Sequence, residues 1–145
     1  MFRKIKSAAP LPGLRLLVCF ADGCARTYDV SAAMERAPAL AVLRDTPGLF
    51  EQVSVDPGGY GVSWSDDLDL DGAELWARGV PTRSPFDGLL SFGDATALWG
   101  LSESTLRKAV AYRRLTDGLD VQKYGKQWLI TRAAMEREYG PQPQQ

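Results

Sequence analysis

The stretch Asp94-Ala-Thr-Ala-Leu-Trp-Gly-Leu-Ser-Glu-Ser-Thr-Leu-Arg-Lys-Ala-Val-Ala-Tyr-Arg-Arg114 decides how this chain is read. It predicts a short helix, a turn at Gly100, and a second helix opened by Ser102, whose hydroxyl can accept from a backbone N–H of the first turn. The second helix is expected from Glu103 to about Arg114. At about 100° per residue, Leu106, Ala109 and Val110 share the inner face, bordered by the aliphatic stem of Arg113. Ser104, Lys108, Ala111 and Tyr112 fall opposite, with Thr105 and Arg107 at the margins. An outward face of small, hydroxyl, cationic and aromatic groups suits insertion into a DNA major groove. An ordinary amphipathic helix with a solvated cationic side would look the same in isolation.

The segment after the second helix shifts the balance between these readings. Two apolar runs flank Lys123-Tyr124-Gly125-Lys126 and predict a strand pair. A turn centred on Tyr124-Gly125 would set Val121 opposite Trp128 and Leu119 opposite Ile130, with Lys123 opposite Lys126. Like charges face to face on a hairpin repel unless an anion lies between them, and a phosphate is the obvious anion; two long, flexible ammonium groups at a tip can also simply be solvated at little cost.

Upstream, Leu14-Arg-Leu-Leu-Val-Cys-Phe20 and Cys24-Ala-Arg-Thr-Tyr-Asp-Val30 flank Ala21-Asp-Gly23, a strong hairpin signal. A three-residue loop with Gly23 left-handed pairs Phe20 with Cys24, Cys19 with Ala25, Leu16 with Tyr28 and Leu14 with Val30. Cys19 and Cys24 then point to opposite faces, so no bridge is expected between them. Phe2-Arg-Lys-Ile-Lys6 adds a short strand before a break at Pro10–Gly13. Residues 32–44 read as helix split by Pro38. Residues 50–56 read as a strand, Pro57-Gly-Gly59 as a turn, and Tyr60-Gly-Val-Ser-Trp64 as the partner strand. Asp71 caps a helix to Arg78. The boundaries expected are a first domain at 1–80, a Pro-containing linker at 81–90, a second domain at 91–140 and a polar tail at 141–145.

Composition narrows the chemistry. Of 145 residues, 45% are hydrophobic and 24% charged, which are globular values. No apolar run approaches the ~18 residues of a membrane span, and no signal-peptide pattern comes after the basic start, so a cytoplasmic protein without membrane contact is expected. There is no histidine and there are two cysteines, which leaves little for a zinc site and removes histidine-dependent catalysis. No enzyme activity, metal or cofactor is expected. Residues 1–90 carry nine Lys/Arg against twelve Asp/Glu, and residues 91–145 eight against six. A mildly basic C-terminal part behind an acidic N-terminal part suits a small DNA reader attached to something else.

Two further motifs have plain explanations. Asp67-Leu-Asp-Leu-Asp-Gly72 imitates the start of a calcium loop, but the twelfth position, which needs a bidentate Glu, is Arg78. Asp66, Asp67 and Asp69 read instead as an acidic strand edge, either solvated or facing a basic partner surface. Pro57-Gly-Gly-Tyr60 lacks the spacing of a phosphate cradle and reads as a turn.

Phe20-Ala-Asp-Gly23, Tyr28-Asp-Val30, Pro57-Gly-Gly-Tyr60 and Trp64-Ser-Asp-Asp-Leu-Asp-Leu70 resemble the bacterial domain-of-unknown-function 2442 family over roughly residues 10–80. That resemblance implies a small α+β domain without assigned enzymatic activity, encoded beside another small protein in an arrangement reminiscent of toxin–antitoxin pairs. Ala95-Thr-Ala-Leu-Trp-Gly100, Leu101-Ser-Glu-Ser-Thr-Leu106, Gly125-Lys-Gln-Trp128 and Thr131-Arg-Ala-Ala-Met-Glu-Arg-Glu-Tyr139 resemble the winged helix-turn-helix of phage excisionases and MerR-type regulators. This second resemblance implies that Ser104, Thr105, Arg107 and Lys108 face the groove and that Lys123 and Lys126 are wing contacts; Tyr112 shares the outward face. The sequence departs from that pattern at Leu115-Thr-Asp-Gly-Leu-Asp120, where two acids replace a short neutral connector and argue against phosphate contacts.

The expected fold class is therefore α+β: a small mixed α/β domain with antiparallel hairpins, then a winged helix-turn-helix. The expected function is sequence-specific binding of double-stranded DNA, as a repressor or autoregulating antitoxin. The first domain is expected to bind a toxin or other small protein through Asp66, Asp67 and Asp69, or to build a homodimer. The alternative is an antitoxin or adaptor acting through protein contacts alone.

Overall fold

Asp22 and Gly23 close the hairpin over residues 15–29. Gly23 sits at φ 88°, the Phe20 N–H donates to the Cys24 carbonyl at 2.8 Å, and the Asp22 carboxylate accepts from the Cys24 N–H at 3.0 Å. The computed structural model describes residues 2–143. In it β2 (Arg15–Phe20) and β3 (Ala25–Asp29) pair in the register read from the sequence, Leu16 opposite Tyr28 and Val18 opposite Arg26. No disulfide joins Cys19 and Cys24, and both are half-buried.

The first strand is longer than expected. β1 (Ile5–Leu11) runs through Pro10, which lies opposite Leu16. Proline is tolerated because β1 is an edge strand, where a missing N–H need not remove a ladder bond. The chain turns instead at Gly13 and Leu14, at φ 81° and 57°.

Asp29 caps α1 (Val30–Ala33), and Pro38 opens a 3-10 turn (Pro38–Ala41) before α2 (Val42–Asp45), so the proline divides the helical segment as expected. The strand expected over 50–56 shrinks to β4 (Ser54–Val55). Phe50–Gln52 forms a 3-10 turn, and the Phe50 carbonyl accepts from the Trp64 indole at 2.9 Å rather than joining a ladder. Gly59 in the following turn is at φ 75°, and a Cβ there would meet the Ile5 carbonyl oxygen at 2.7 Å, so the site requires glycine. β5 (Gly61–Ser65) and β6 (Leu68–Asp71) complete a three-stranded antiparallel sheet of order β4-β5-β6. Asp71 then caps α3 (Gly72–Arg78), accepting from the Ala73 N–H at 3.0 Å.

β7 (Val80–Pro81) pairs with β3, giving the other sheet the order β1-β2-β3-β7. The linker expected from residue 81 is thereby shortened: the Thr82 N–H still donates to the Ala25 carbonyl at 3.1 Å. The core of this unit is built from Leu16, Val18, Tyr28, Val30, Val62 and Leu75, all fully buried. Within it the Tyr28 hydroxyl donates to Glu74 at 2.6 Å. Burial and the adjacent carboxylate push the Tyr28 pKa up to about 12.

The chain divides into two units between Ser84 and Pro85. The second unit runs β8 (Leu89–Ser91), α4 (Phe92–Trp99), α5 (Glu103–Ala111), β9 (Val121–Tyr124), β10 (Gln127–Thr131) and α6 (Arg132–Tyr139), with sheet order β8-β10-β9. β8 lies mostly inside the stretch read as linker. It belongs to the domain because Leu90 is buried opposite Ile130. Leu90, Phe92, Ala95, Trp99, Leu106, Leu115, Val121, Ile130 and Met135 form one apolar core. The architecture is α+β, with antiparallel sheets in the first unit and a helix-turn-helix in the second. Among the described residues no helix is long and apolar enough to cross a membrane.

Candidate nucleic-acid interface

The turn between α4 and α5 is set by backbone chemistry. Gly100 takes the left-handed conformation at φ 70°, and the Leu101 N–H donates to the Thr96 carbonyl at 2.9 Å, closing the last turn of α4. Ser102 then caps α5, accepting from the Thr105 N–H at 3.3 Å. Its hydroxyl also meets those of Ser104 (2.9 Å) and Thr105 (3.0 Å), so three hydroxyls gather at the start of α5.

The two faces of α5 fall as the spacing predicts. Leu106 and Ala109 are buried and Val110 half-buried; Ser104, Arg107, Lys108, Ala111 and Tyr112 are exposed, and Thr105 lies between. Arg107 is held by Glu103 one turn earlier at 3.0 Å. The helix ends at Ala111 rather than about Arg114, so Arg113 does not border the apolar face: it is exposed at φ 62°, beyond the helix.

Cations in this unit divide into two groups. Arg107, Arg114, Arg132 and Arg137 pair with Glu103, Glu138, Glu136 and Asp120 respectively. Lys108, Arg113, Lys123 and Lys126 are exposed and have no carboxylate partner among the described residues. All four lie on or just after α5, or at the β9–β10 hairpin.

The hairpin register differs from the expected one. Tyr124 pairs with Gln127, Lys123 with Trp128, and Val121 with Ile130. Gly125, at φ 60°, occupies the first central position of a two-residue turn, and Lys126, which has no positive φ, the second. This is the pattern of a type II′ turn, whose twist matches a hairpin better than a Tyr-Gly centre would. Lys123 and Lys126 therefore do not face each other, and no repulsion between them calls for an intervening phosphate. Lys123 instead lies 6.0 Å from the Trp128 ring centroid, and Leu119, expected opposite Ile130, is 74% exposed. Both lysines remain exposed near the hairpin tip.

The acidic connector has a structural explanation. Asp120 is buried and accepts from both terminal nitrogens of Arg137, at 3.1 and 2.8 Å, and from the Thr116 N–H at 2.9 Å. The Arg137 bonds, then the backbone bond, hold its pKa below the ordinary carboxylate value against the opposing effect of burial. Its charge is neutralised inside the domain; Asp117 is exposed.

In the first unit, Asp66 and Asp67 form the exposed β5–β6 turn and Asp69 points outward from β6 while Leu68 is buried. Asp66 also lines a shallow cleft with Ser54, Asp56, Ser63, Trp64 and Ser65.

The family described as "Protein of unknown function (DUF2442)" matches residues 5–81, more than half of the 145 residues. The chain belongs to this family. Residues 83–144, beyond the DUF2442 part, match a family described as "Helix-turn-helix domain", which fits binding to double-stranded DNA. No curated protein and no solved structure matches this DUF2442 chain.

Sequence reasoning missed two features of the unit that follows the DUF2442 part. One is the Asp120–Arg137 pair, 17 residues apart, for which no local pattern exists. The other is the left-handed Arg113; Leu115, an apolar residue about 180° from Leu106 at helical spacing, was the available sign that the helix had to end early.

Proposed function

We propose that this chain is a DNA-binding regulator whose helix-turn-helix unit reads double-stranded DNA in a sequence-specific way, with α5 in the major groove. The observation that carries the reading is the segregation of cations: among the described residues of the second unit, every one without a carboxylate partner lies on or just beyond α5 or at the β9–β10 hairpin. Ser104, Thr105, Arg107, Lys108 and Tyr112 are assigned to the groove side, and Lys123 with Lys126 to the phosphate backbone. One such module reads only a few base pairs, so a working regulator needs two copies, and a homodimer is part of the proposal.

The DUF2442 unit is assigned the partner-binding role. Its exposed Asp66, Asp67 and Asp69 offer an acidic edge to a basic protein such as a toxin, which would make the chain a repressor or an autoregulating antitoxin. No catalytic role is assigned, consistent with a sequence that has no histidine to serve as base. The test is selection of duplexes from a randomised pool by the whole chain. Enrichment of a defined motif supports the reading; recovery of unenriched sequence at low salt, lost entirely near physiological salt, refutes specificity.

A further inference from the structure

α4 and α5 end in related ways but with different residues. In α4 the left-handed position belongs to Gly100. In α5 the Arg114 N–H donates to the Ala109 carbonyl at 2.9 Å and the Arg113 N–H to the Val110 carbonyl at 3.1 Å. These two bonds form a Schellman motif whose left-handed residue is usually glycine. Here that residue is Arg113, at φ 62°.

An L side chain in this conformation crowds its own backbone, and such outliers persist where something else offsets them. Leu14 is the other described non-glycine residue with positive φ, and it packs against the core of its unit. Arg113 has no such compensation: it is exposed and makes no ion pair or side-chain hydrogen bond among the described residues. A cation near a helix C-terminus gains something from the helix dipole, but little when exposed and screened by salt. Its neighbour Arg114, by contrast, is engaged with Glu138 at 3.5 Å.

We infer that Arg113 is a DNA-backbone contact, kept at a position where glycine would fold better because its guanidinium binds a phosphate of the duplex. The end of a groove-inserted helix passes close to the sugar–phosphate backbone, and a planar guanidinium matches phosphate oxygens bidentately. Arg113 follows the exposed Tyr112 at that end of α5. The inference deepens the duplex-binding reading and rests on it.

Arg113→Gly separates fold from function, because its two effects carry opposite signs. In the whole chain it should raise the melting temperature of the helix-turn-helix unit by roughly 2–6 °C through relief of the left-handed strain. It should also weaken duplex binding several-fold and reduce the slope of log Kobs against log salt by about one. Arg113→Lys should restore most of the slope, and Arg113→Asn, which also tolerates the conformation, should behave as Gly does. An unchanged affinity and slope in Arg113→Gly, with the unaltered chain binding DNA and Lys108→Ala impaired, overturns the inference and spares the broader reading. Absence of duplex binding by the unaltered chain overturns both.

Discussion

Replacing Asp120 by Asn tests whether the acid that looked incompatible with a DNA reader holds the domain together. Asp120 accepts two bonds from Arg137 and one from the Thr116 N–H, between 2.8 and 3.1 Å. Hydrogen bonds to a charged group contribute about 1.5–3 kcal/mol each. Asn retains one acceptor oxygen, enough for Thr116 or for one arm of Arg137, and turns an N–H₂ donor toward the guanidinium. The Asp120 side chain is 7% exposed, so water does not replace what it loses; Arg137 is 51% exposed and rehydrates. The expected cost is therefore about 2–3 kcal/mol, below the ~3–5 kcal/mol of breaking a pair buried on both sides. In urea titration of residues 85–145, with a slope of ~1 kcal/mol/M, the midpoint should fall by about 2–3 M. The sign with pH follows from the lowered pKa of Asp120. Its contribution is complete above the ordinary carboxylate pKa of about 4 and is lost as pH falls through the lower folded-state value. The gap between the two proteins should narrow only below about pH 4. A cost under ~0.5 kcal/mol, or a gap independent of pH, would show that the Asp120–Arg137 pair does not hold the domain together.

Three other outcomes are expected. A fragment beginning at Pro85 should show a cooperative thermal transition by circular dichroism, whereas one beginning at Ser91 should be much less stable, because it lacks the buried Leu90 and most of β8; equal stability would contradict the domain start. Lys108→Ala should relax sequence preference in competition binding, and Lys126→Ala should weaken all duplexes about equally; equal, sequence-independent losses would sink the groove assignment. Changing Asp66, Asp67 and Asp69 together to Asn should abolish co-purification with a basic partner protein while leaving DNA affinity intact; retained partner binding would return these residues to a solvated strand edge.

Where local chemistry decides structure, the sequence was sufficient. Asp22-Gly23 set the β2–β3 register to the residue, and Ser102 and Gly100 placed the helix-turn-helix joint. Where tertiary context decides, it was not. Pro10 sits in a strand because that strand is an edge, and β8 is only Leu89–Ser91, too short for any periodicity to show. The wing register turned on which two residues fill the turn, a choice Tyr124-Gly125-Lys126 leaves open until Gly125 takes its first position. Of the candidate site, the outward face of α5 was legible from 3.6-residue spacing. The role of Asp120 was not, since its partner arrives on α6.

Duplex binding through α5 and the hairpin can be read by titrating a fluorescent duplex with the whole chain over a range of salt concentrations. Four cations without a carboxylate partner among the described residues, Lys108, Arg113, Lys123 and Lys126, lie on or beyond α5 or at the hairpin of each copy. With Arg113, Lys123 and Lys126 on phosphates and Lys108 in the groove, log Kobs should fall with log salt at a slope of roughly −2.5 to −3 per bound copy. A slope near zero, or no duplex binding at low salt, would show that these cations do not bind duplex phosphates.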